Sequence, residues 1–480
     1  MKSFAKRVIE SLPARGLDYA DVRITDTQAE SIAVRNGIVE SVSSARDAGF
    51  GLRVMARGAW GFASSARLEA SEIPRVVKSA VEIARASALT RPEAVRLAPQ
   101  KPARGSYRTA VKKDPFAVPL ERKISLLLEA DRLMRKNRKI KVAGGALWFT
   151  RERKTFASTE GALTAQEITE SGGEISALAV DGREVQTRSY PNMSGDTRQA
   201  GYEFIEWLDF PGNAERAAGE AALLLKAPPC PAGETTIIIA SNQLALQVHE
   251  SIGHPIELDR VFGTEAAYAG TSFLTLDKLH QLRYGSDIVN VYADATVPGG
   301  LGTFGWDDEG VPAQRVPIID RGRFAGYLTS RETASKLGEA SGGAMRADGW
   351  NRIPLIRMTN INLEPGSWSY PDLIADTDDG ILFDTTKTWS IDDKRLNFQF
   401  ATEIAWRIRN GKVTSQAYKN ATYTGMTPRF WNSCDAVCNM KSWRLWGIPN
   451  CGKGQPGQSA HVGHGVSPAR FRRVQVGVSS

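Results

Sequence analysis

Between His249 and His254 an ordinary helix cannot continue and still serve both side chains. The stretch Val248-His249-Glu250-Ser251-Ile252-Gly253-His254-Pro255 holds two of the five histidines in a chain of 480 residues, five positions apart. At about 100° per residue, positions i and i+5 on a regular α-helix point roughly 140° away from each other. The sequence supplies a way out. Gly253 permits backbone conformations that other residues avoid, and Pro255 biases His254 away from the α region. The helix is therefore expected to end near Ile252 or Gly253, with His249 on its last turn and His254 just beyond. Upstream, Thr235 to Ala240 reads as a buried strand and Ser241 as an N-cap, followed by a helix with Leu244 and Val248 on one side.

Two imidazoles flanking a carboxylate suggest metal chemistry. Imidazole nitrogens suit Zn²⁺, and a Glu beside the metal can take a proton from bound water, which points to a metallohydrolase. The plain alternative is a histidine pair at a helix end that only hydrogen-bonds carbonyls. A catalytic zinc usually keeps three protein ligands and one open position, so a third ligand has to come from elsewhere. The candidates are Cys230, His280, Cys434, Cys438, Cys451, His461, His464 and any nearby carboxylate. Cys451 stands out. It lies in Gly447-Ile448-Pro449-Asn450-Cys451-Gly452-Lys453-Gly454-Gln455, where Pro and Gly on both sides predict an exposed turn, and Lys453 favours a thiolate. Cys434 and Cys438, four apart, fit core thiols, a redox pair or a separate metal site, with core thiols the favoured reading. His461 and His464 stand in a Gly-rich tail with no motif behind them.

With those residues in view, the chain resembles the TldD side of the TldD/PmbA family of zinc peptidases, whose signature is His-Glu-x-x-x-His with a distant cysteine. The resemblance extends through His249 to Gly270, Gly305-Trp306-Asp307-Asp308-Glu309-Gly310-Val311-Pro312-Ala313, Gly326 to Arg331, Arg357-Met358-Thr359-Asn360 and Leu363-Glu364-Pro365-Gly366. It covers nearly the whole chain and is strongest from about 230 to 460. It implies that His249, His254 and Cys451 bind zinc and that Glu250 is the catalytic base. PmbA-like partners of the family lack the metal motif, so its presence sets this chain on the catalytic side. The resemblance further implies substrates that are unfolded or small peptides, and a dimer, either with a second copy or with a PmbA-like chain, that encloses the site. Cys434, Cys438, His461 and His464 fall outside the family pattern.

At this length one ordinary core is too small, and two or three packed units are expected. The reading is α+β throughout: an N-terminal α+β domain over 1–95 with antiparallel or mixed sheets, a linker and central α+β region over 96–226, and a β-rich catalytic domain over 227–480. Asn36-Gly37 and Arg57-Gly58 mark hairpin turns in the first unit. The Pro-rich stretch from Arg91 to Pro119 reads as a linker or long loop. A helix with Ile124, Leu127 and Leu128 inward comes next, then strands from about Ile140 to Ser189 with turns at Glu160-Gly161 and Asp181-Gly182, then a helix over roughly Ala214 to Lys226. Hydrophobic content of 42% and charged content of 24% suit a globular enzyme. No apolar run approaches the roughly 20 residues of a membrane span, and Met1 to Glu10 lacks a signal's apolar stretch. Four scattered cysteines make no disulfide framework, which points to the cytoplasm.

The net charge of +8 raises a different class of function. The run Arg135-Lys136-Asn137-Arg138-Lys139-Ile140-Lys141 offers charges of the kind that grip phosphates. It has few aromatics to stack bases and sits where a helix gives way to a strand, so a solvated helix end is the better reading and nucleic acid is not the expected partner. A peptide- or nucleic-acid-binding regulator with a structural metal is the alternative to the peptidase. Glu250 argues against it, because a structural site needs no base.

Overall fold

The computed structural model describes residues 1–13 and 15–477 of the chain. Its first half is built on one eight-stranded sheet. The strands run in the order Ala59–Ser65, Ile38–Ala56, Tyr19–Arg35, Ile140–Ser158, Leu163–Asp181 and Arg104–Arg108, while Glu184–Tyr190 and Asp196–Arg198 also pair with Leu163–Asp181. Asn36 and Gly37 have φ of 49° and 78°, and Arg57 and Gly58 have 53° and 69°. Both expected hairpins thus turn through the left-handed region that a two-residue loop requires. The turns at Glu160-Gly161 and Asp181-Gly182 also join successive antiparallel strands. Within the Pro-rich stretch, Arg104–Arg108 adds a short strand parallel to Leu163–Asp181, which makes the sheet mixed.

Side-chain alternation decides what covers each face. Val22, Ile24, Ile32 and Val34 on Tyr19–Arg35 enter apolar clusters. At one end Ala5 and Val8 of helix Lys2–Glu10, and Val76, Ala80 and Ala84 of Ile73–Thr90, complete the cluster. At the other end Leu127 and Ala130 of Leu120–Met134, with Ala214 and Ala218 of Phe210–Leu224, do the same, and Ile124 and Leu128 pack against them as expected. The last of these helices starts earlier than anticipated because Asp209 accepts a hydrogen bond from the Gly212 amide and Pro211 fits the first turn. The intervening residues Asp21, Arg23 and Thr25 point the other way and are buried too. Ion pairs join that face to the second half of the chain: Arg23 to Asp308 (3.7 Å), Lys154 to Asp308 (3.0 Å) and Arg53, itself paired with Asp21 (2.7 Å) on the neighbouring strand, to Glu309 (3.3 Å).

The second half is β-rich, as expected. Five of its strands close on themselves: Asp379–Ile391 pairs with Gly233–Ile239, next come Ala469–Gly477, Ala421–Met426 and Asn397–Arg409, and the last pairs back to Asp379–Ile391. The core of this half includes Phe383, Phe398, Tyr423 and Phe430, whose rings meet edge to face or stacked. Two smaller units flank it: a four-stranded sheet containing Val291–Asp294 and Ile361–Leu363, and the ribbon Arg444–Lys453 with Gln458–Val466. No helix among the described residues is long and apolar enough to cross a membrane.

Candidate metal centre

The strand Gly233–Ile239 ends in Ile237, Ile238 and Ile239, all fully buried, and delivers the chain to helix Ser241–Val248. Ala240, not Ser241, is the residue before the first turn, and no side chain caps it. The helix is held in place from its buried face, where Gln243 Nε2 donates to the Tyr423 hydroxyl (2.9 Å), which donates in turn to Gln247 Oε1 (3.1 Å).

Beyond Val248 the chain departs from the expected helix end. His249–Gly253 forms a π-helical turn, closed by the His254 amide donating to the His249 carbonyl (3.2 Å). His254 stays in the α region, with φ −67° and ψ −43°, despite Pro255. The helix widens instead of breaking. A bond that spans five residues brings positions i and i+5 nearly over one another, so the spacing that forbids convergence on an α-helix produces it here. The two imidazole centroids lie 4.9 Å apart at 89°. Gly253 leaves room for the Met358 side chain: a Cβ there would lie 2.3 Å from Met358 Sδ.

Cys451 comes to this pair across 197 residues, with Sγ 3.7 Å from His254 Nε2. The thiol is buried at 4% exposure within strand Arg444–Lys453, which corrects the expected exposed turn. Pro449 and Asn450 mark an irregularity in the register with Gln458–Val466, between Ile448 and Cys451, so the Pro and Gly residues signal a bulge inside a strand. Ligand atoms of His249, His254 and Cys451 all lie within 4.8 Å of one another, a triangle that an ion with bonds of about 2.0–2.3 Å would draw slightly together. Of the remaining candidates, His464 touches the triangle from outside and the others lie apart from it. His280 is exposed, and Cys230, Cys434 and Cys438 are buried thiols, with Cys230 and Cys438 pushed up to about 11 by burial. His461 and His464 lie on strand Gln458–Val466, not in a loose tail. His461 faces Glu170, 2.5 Å away, whereas His464 Nε2 sits 2.8 Å from His249 Nδ1.

Around the triangle stands a shell of charges of which sequence reasoning had singled out Lys453 alone, and as a neighbour of the thiol; it pairs instead with the acids around Glu257. His254 Nδ1 lies 3.1 Å from Glu257 Oε2, and Glu257 is in turn 3.3 Å from Lys453 Nζ, which also binds Asp259 (2.7 Å). The acid three residues after His254 and the Lys two after Cys451 were the available signals. Burial would lift the Cys451 thiol, yet the facing His254 ring holds it below its ordinary value. Burial would likewise lower His254, and the Cys451 and Glu257 charges raise it instead. Burial lowers His249. Glu250 is 5% exposed, and its Oε2 accepts from Arg395 Nη1 at 2.5 Å. Burial works against its charge, but His249, His254 and Arg395 outweigh it and hold the carboxyl below the usual range. Arg395 comes from the turn before strand Asn397–Arg409, with φ 62°. Beside the triangle a small cleft of about 70 Å³ is lined by Leu246, Trp389, Trp446, Ile448 and Pro449, among others.

Three family models match the chain: PmbA/TldA metallopeptidase domain 1 over residues 20–84, the central domain over 113–225 and the C-terminal domain over 232–477. A metalloprotease of Methanocaldococcus jannaschii is 31% identical over 93% of this chain and 94% of its own length. A metalloprotease TldD homolog of Haemophilus influenzae is 26% identical over 98% and 95%. The crystal structure of a proposed modulator of a DNA gyrase from Thermotoga maritima shares the fold, with a TM-score of 0.78 at 18% identity over 99% of both chains. The family models and the curated relatives thus set the chain among the metalloproteases. It belongs to the PmbA/TldD family of metallopeptidases.

Proposed function

We propose that the protein is a zinc peptidase in which His249, His254 and Cys451 hold the metal and Glu250 is the base, acting on unfolded or small peptides. The observation that carries this reading is the convergence of two imidazole nitrogens and a thiolate-prone sulfur within 4.8 Å, with a buried carboxylate on the residue between them in sequence. The donor set fits zinc, which takes His nitrogen and Cys thiolate in sites that keep one position open. Zinc bound there supplies Lewis acidity, polarising the scissile carbonyl and making water a stronger acid. Glu250, ionised and pinned through Oε2 on Arg395, takes the proton of the attacking water and passes it to the leaving amine. Leu246, Trp389, Trp446 and Ile448 exclude water from the approach and offer apolar surface to substrate side chains. The peptide would lie extended, as an added strand whose backbone hydrogen bonds give affinity with little sequence preference. We take the working assembly to be a dimer, of two copies or with a PmbA-like chain, in the cytoplasm. Zinc content per chain combined with cleavage of a panel of short peptides tests the reading.

Two results are expected of this enzyme beyond its active-site variants. An unfolded protein should be degraded while its folded form resists, because a narrow cleft admits an extended chain and excludes a compact domain; equal rates for the two forms would contradict the assignment. Neutralising Arg135, Lys136, Arg138 and Lys139 together should leave peptide turnover nearly unchanged. Lys136 and Lys139 pair with Glu215 (2.6 Å) and Asp181 (2.7 Å) at the surface, where solvent screens such pairs, and the exposed Arg135 lies over the buried Asp131 carboxylate (2.6 Å). Loss of turnover together with loss of tight, salt-sensitive nucleic-acid binding would favour a regulator instead.

A further inference from the structure

His464 is fully buried and lies between two partners: its Nε2 is 2.8 Å from His249 Nδ1 and its Nδ1 is 3.3 Å from the Ile361 carbonyl oxygen. A carbonyl only accepts, so His464 Nδ1 carries the proton and donates it to Ile361. In a neutral imidazole the other nitrogen then has a lone pair. That lone pair faces His249 Nδ1, which must be the donor of the shared hydrogen bond. His249 is thereby left with its lone pair on Nε2, the nitrogen free to face His254 and Cys451.

We infer that His464 is a positioning residue that sets the tautomer and ring orientation of His249, so that His249 meets a metal through Nε2. The inference rests on the metal-site reading above and extends it to a residue outside the ligand set. The surrounding backbone is built to hold His464 still. The Gly463 amide donates to the Thr359 carbonyl (3.3 Å) and the Gly465 amide to Asn362 Oδ1 (2.7 Å), clamping the strand on both sides of His464. A Cβ on Gly463 would fall 2.1 Å from Asn360 Oδ1, so glycine there lets the strand lie close against the Asn360 side chain. The two histidines are held differently: His254 donates to the carboxylate of Glu257, His249 to a neutral imidazole anchored on the backbone. Outer partners of this kind typically change metal affinity 10–100-fold when removed.

The test compares zinc affinity, by competition with a chelator, in the wild type, His464→Leu and His464→Gln. Leu fills the space without an acceptor, whereas the Gln amide oxygen can accept from His249 and its NH₂ can donate to Ile361. A 10–100-fold loss in His464→Leu, largely restored in His464→Gln, is the expected result. Wild-type affinity in His464→Leu would overturn the inference, and so would equal losses in both variants matched by equal falls in the melting temperature of the metal-free proteins. Should the Leu variant fail to fold, ¹⁵N spectra of the zinc-loaded wild type decide: a protonated Nδ1 and metal-bound Nε2 on His249 support the inference, and the reverse assignment refutes it. Zinc retained at full stoichiometry in His254→Ala and Cys451→Ser would instead sink the metal-site reading itself.

Discussion

Glu250→Gln is expected to keep zinc bound while peptide hydrolysis falls by roughly 10²–10⁴-fold, the usual contribution of a general base. The amide preserves the volume of a side chain that is 5% exposed, and its oxygen can still accept from Arg395, so the fold and the ligand triangle have no reason to change. What it lacks is a basic oxygen. The ionised state of Glu250 is maintained against burial by His249, His254 and Arg395, which keeps the base ready at neutral pH. Zinc content measured beside turnover separates the outcomes. Cleavage near the wild-type rate would reject the role of base, and loss of the metal would mean that Glu250 supports the site structurally.

Cys451→Ser is expected to abolish turnover and to weaken zinc binding by more than the roughly 10–100-fold that an outer partner contributes. A serine hydroxyl stays protonated and is a poor zinc donor, whereas the thiol, facing His254 at 3.7 Å, is held below its ordinary value. Cys434→Ser and Cys438→Ser act on buried thiols away from the triangle and should cost stability through a buried hydroxyl, with zinc content intact. His461→Ala should also leave zinc in place, since its ring pairs with Glu170. Zinc per chain in these variants is the measurement. Survival of zinc and turnover in Cys451→Ser, with loss in His461→Ala or His464→Ala, would transfer the third ligand to one of those histidines.

Much of the α+β build was legible. Asn36-Gly37 and Arg57-Gly58 are short-range signals, and both turns have the positive φ that their residues favour. The helix bearing Leu127 was readable from its 3.6-residue period. The strand at Arg104–Arg108 was hidden because a parallel pairing to Leu163–Asp181 leaves no local mark in a Pro-rich stretch. Arg23 and Lys154 look like surface charges in sequence; only the packing of the sheet's second face against Asp308 buries them.

At the candidate site, local chemistry was written in the chain: which residues can bind a metal, that His249 and His254 cannot share one on a regular α-helix, and that Gly253 stands where something must give. How it gives was decided elsewhere. Met358 packs against Gly253, the His254 amide reaches the His249 carbonyl, and the turn widens into a π-helix instead of ending. Cys451 was nominated by its residue type and by family resemblance. That it is buried, in a bulged strand 3.7 Å from His254, depends on the ribbon formed with Gln458–Val466. His464, Glu257, Lys453 and Arg395 acquire their positions from the same long-range contacts. Short-range periodicity and turn chemistry act over a few residues, so they are readable along the chain; convergence of side chains 145 to 215 residues apart is a property of packing, and only the folded protein has it.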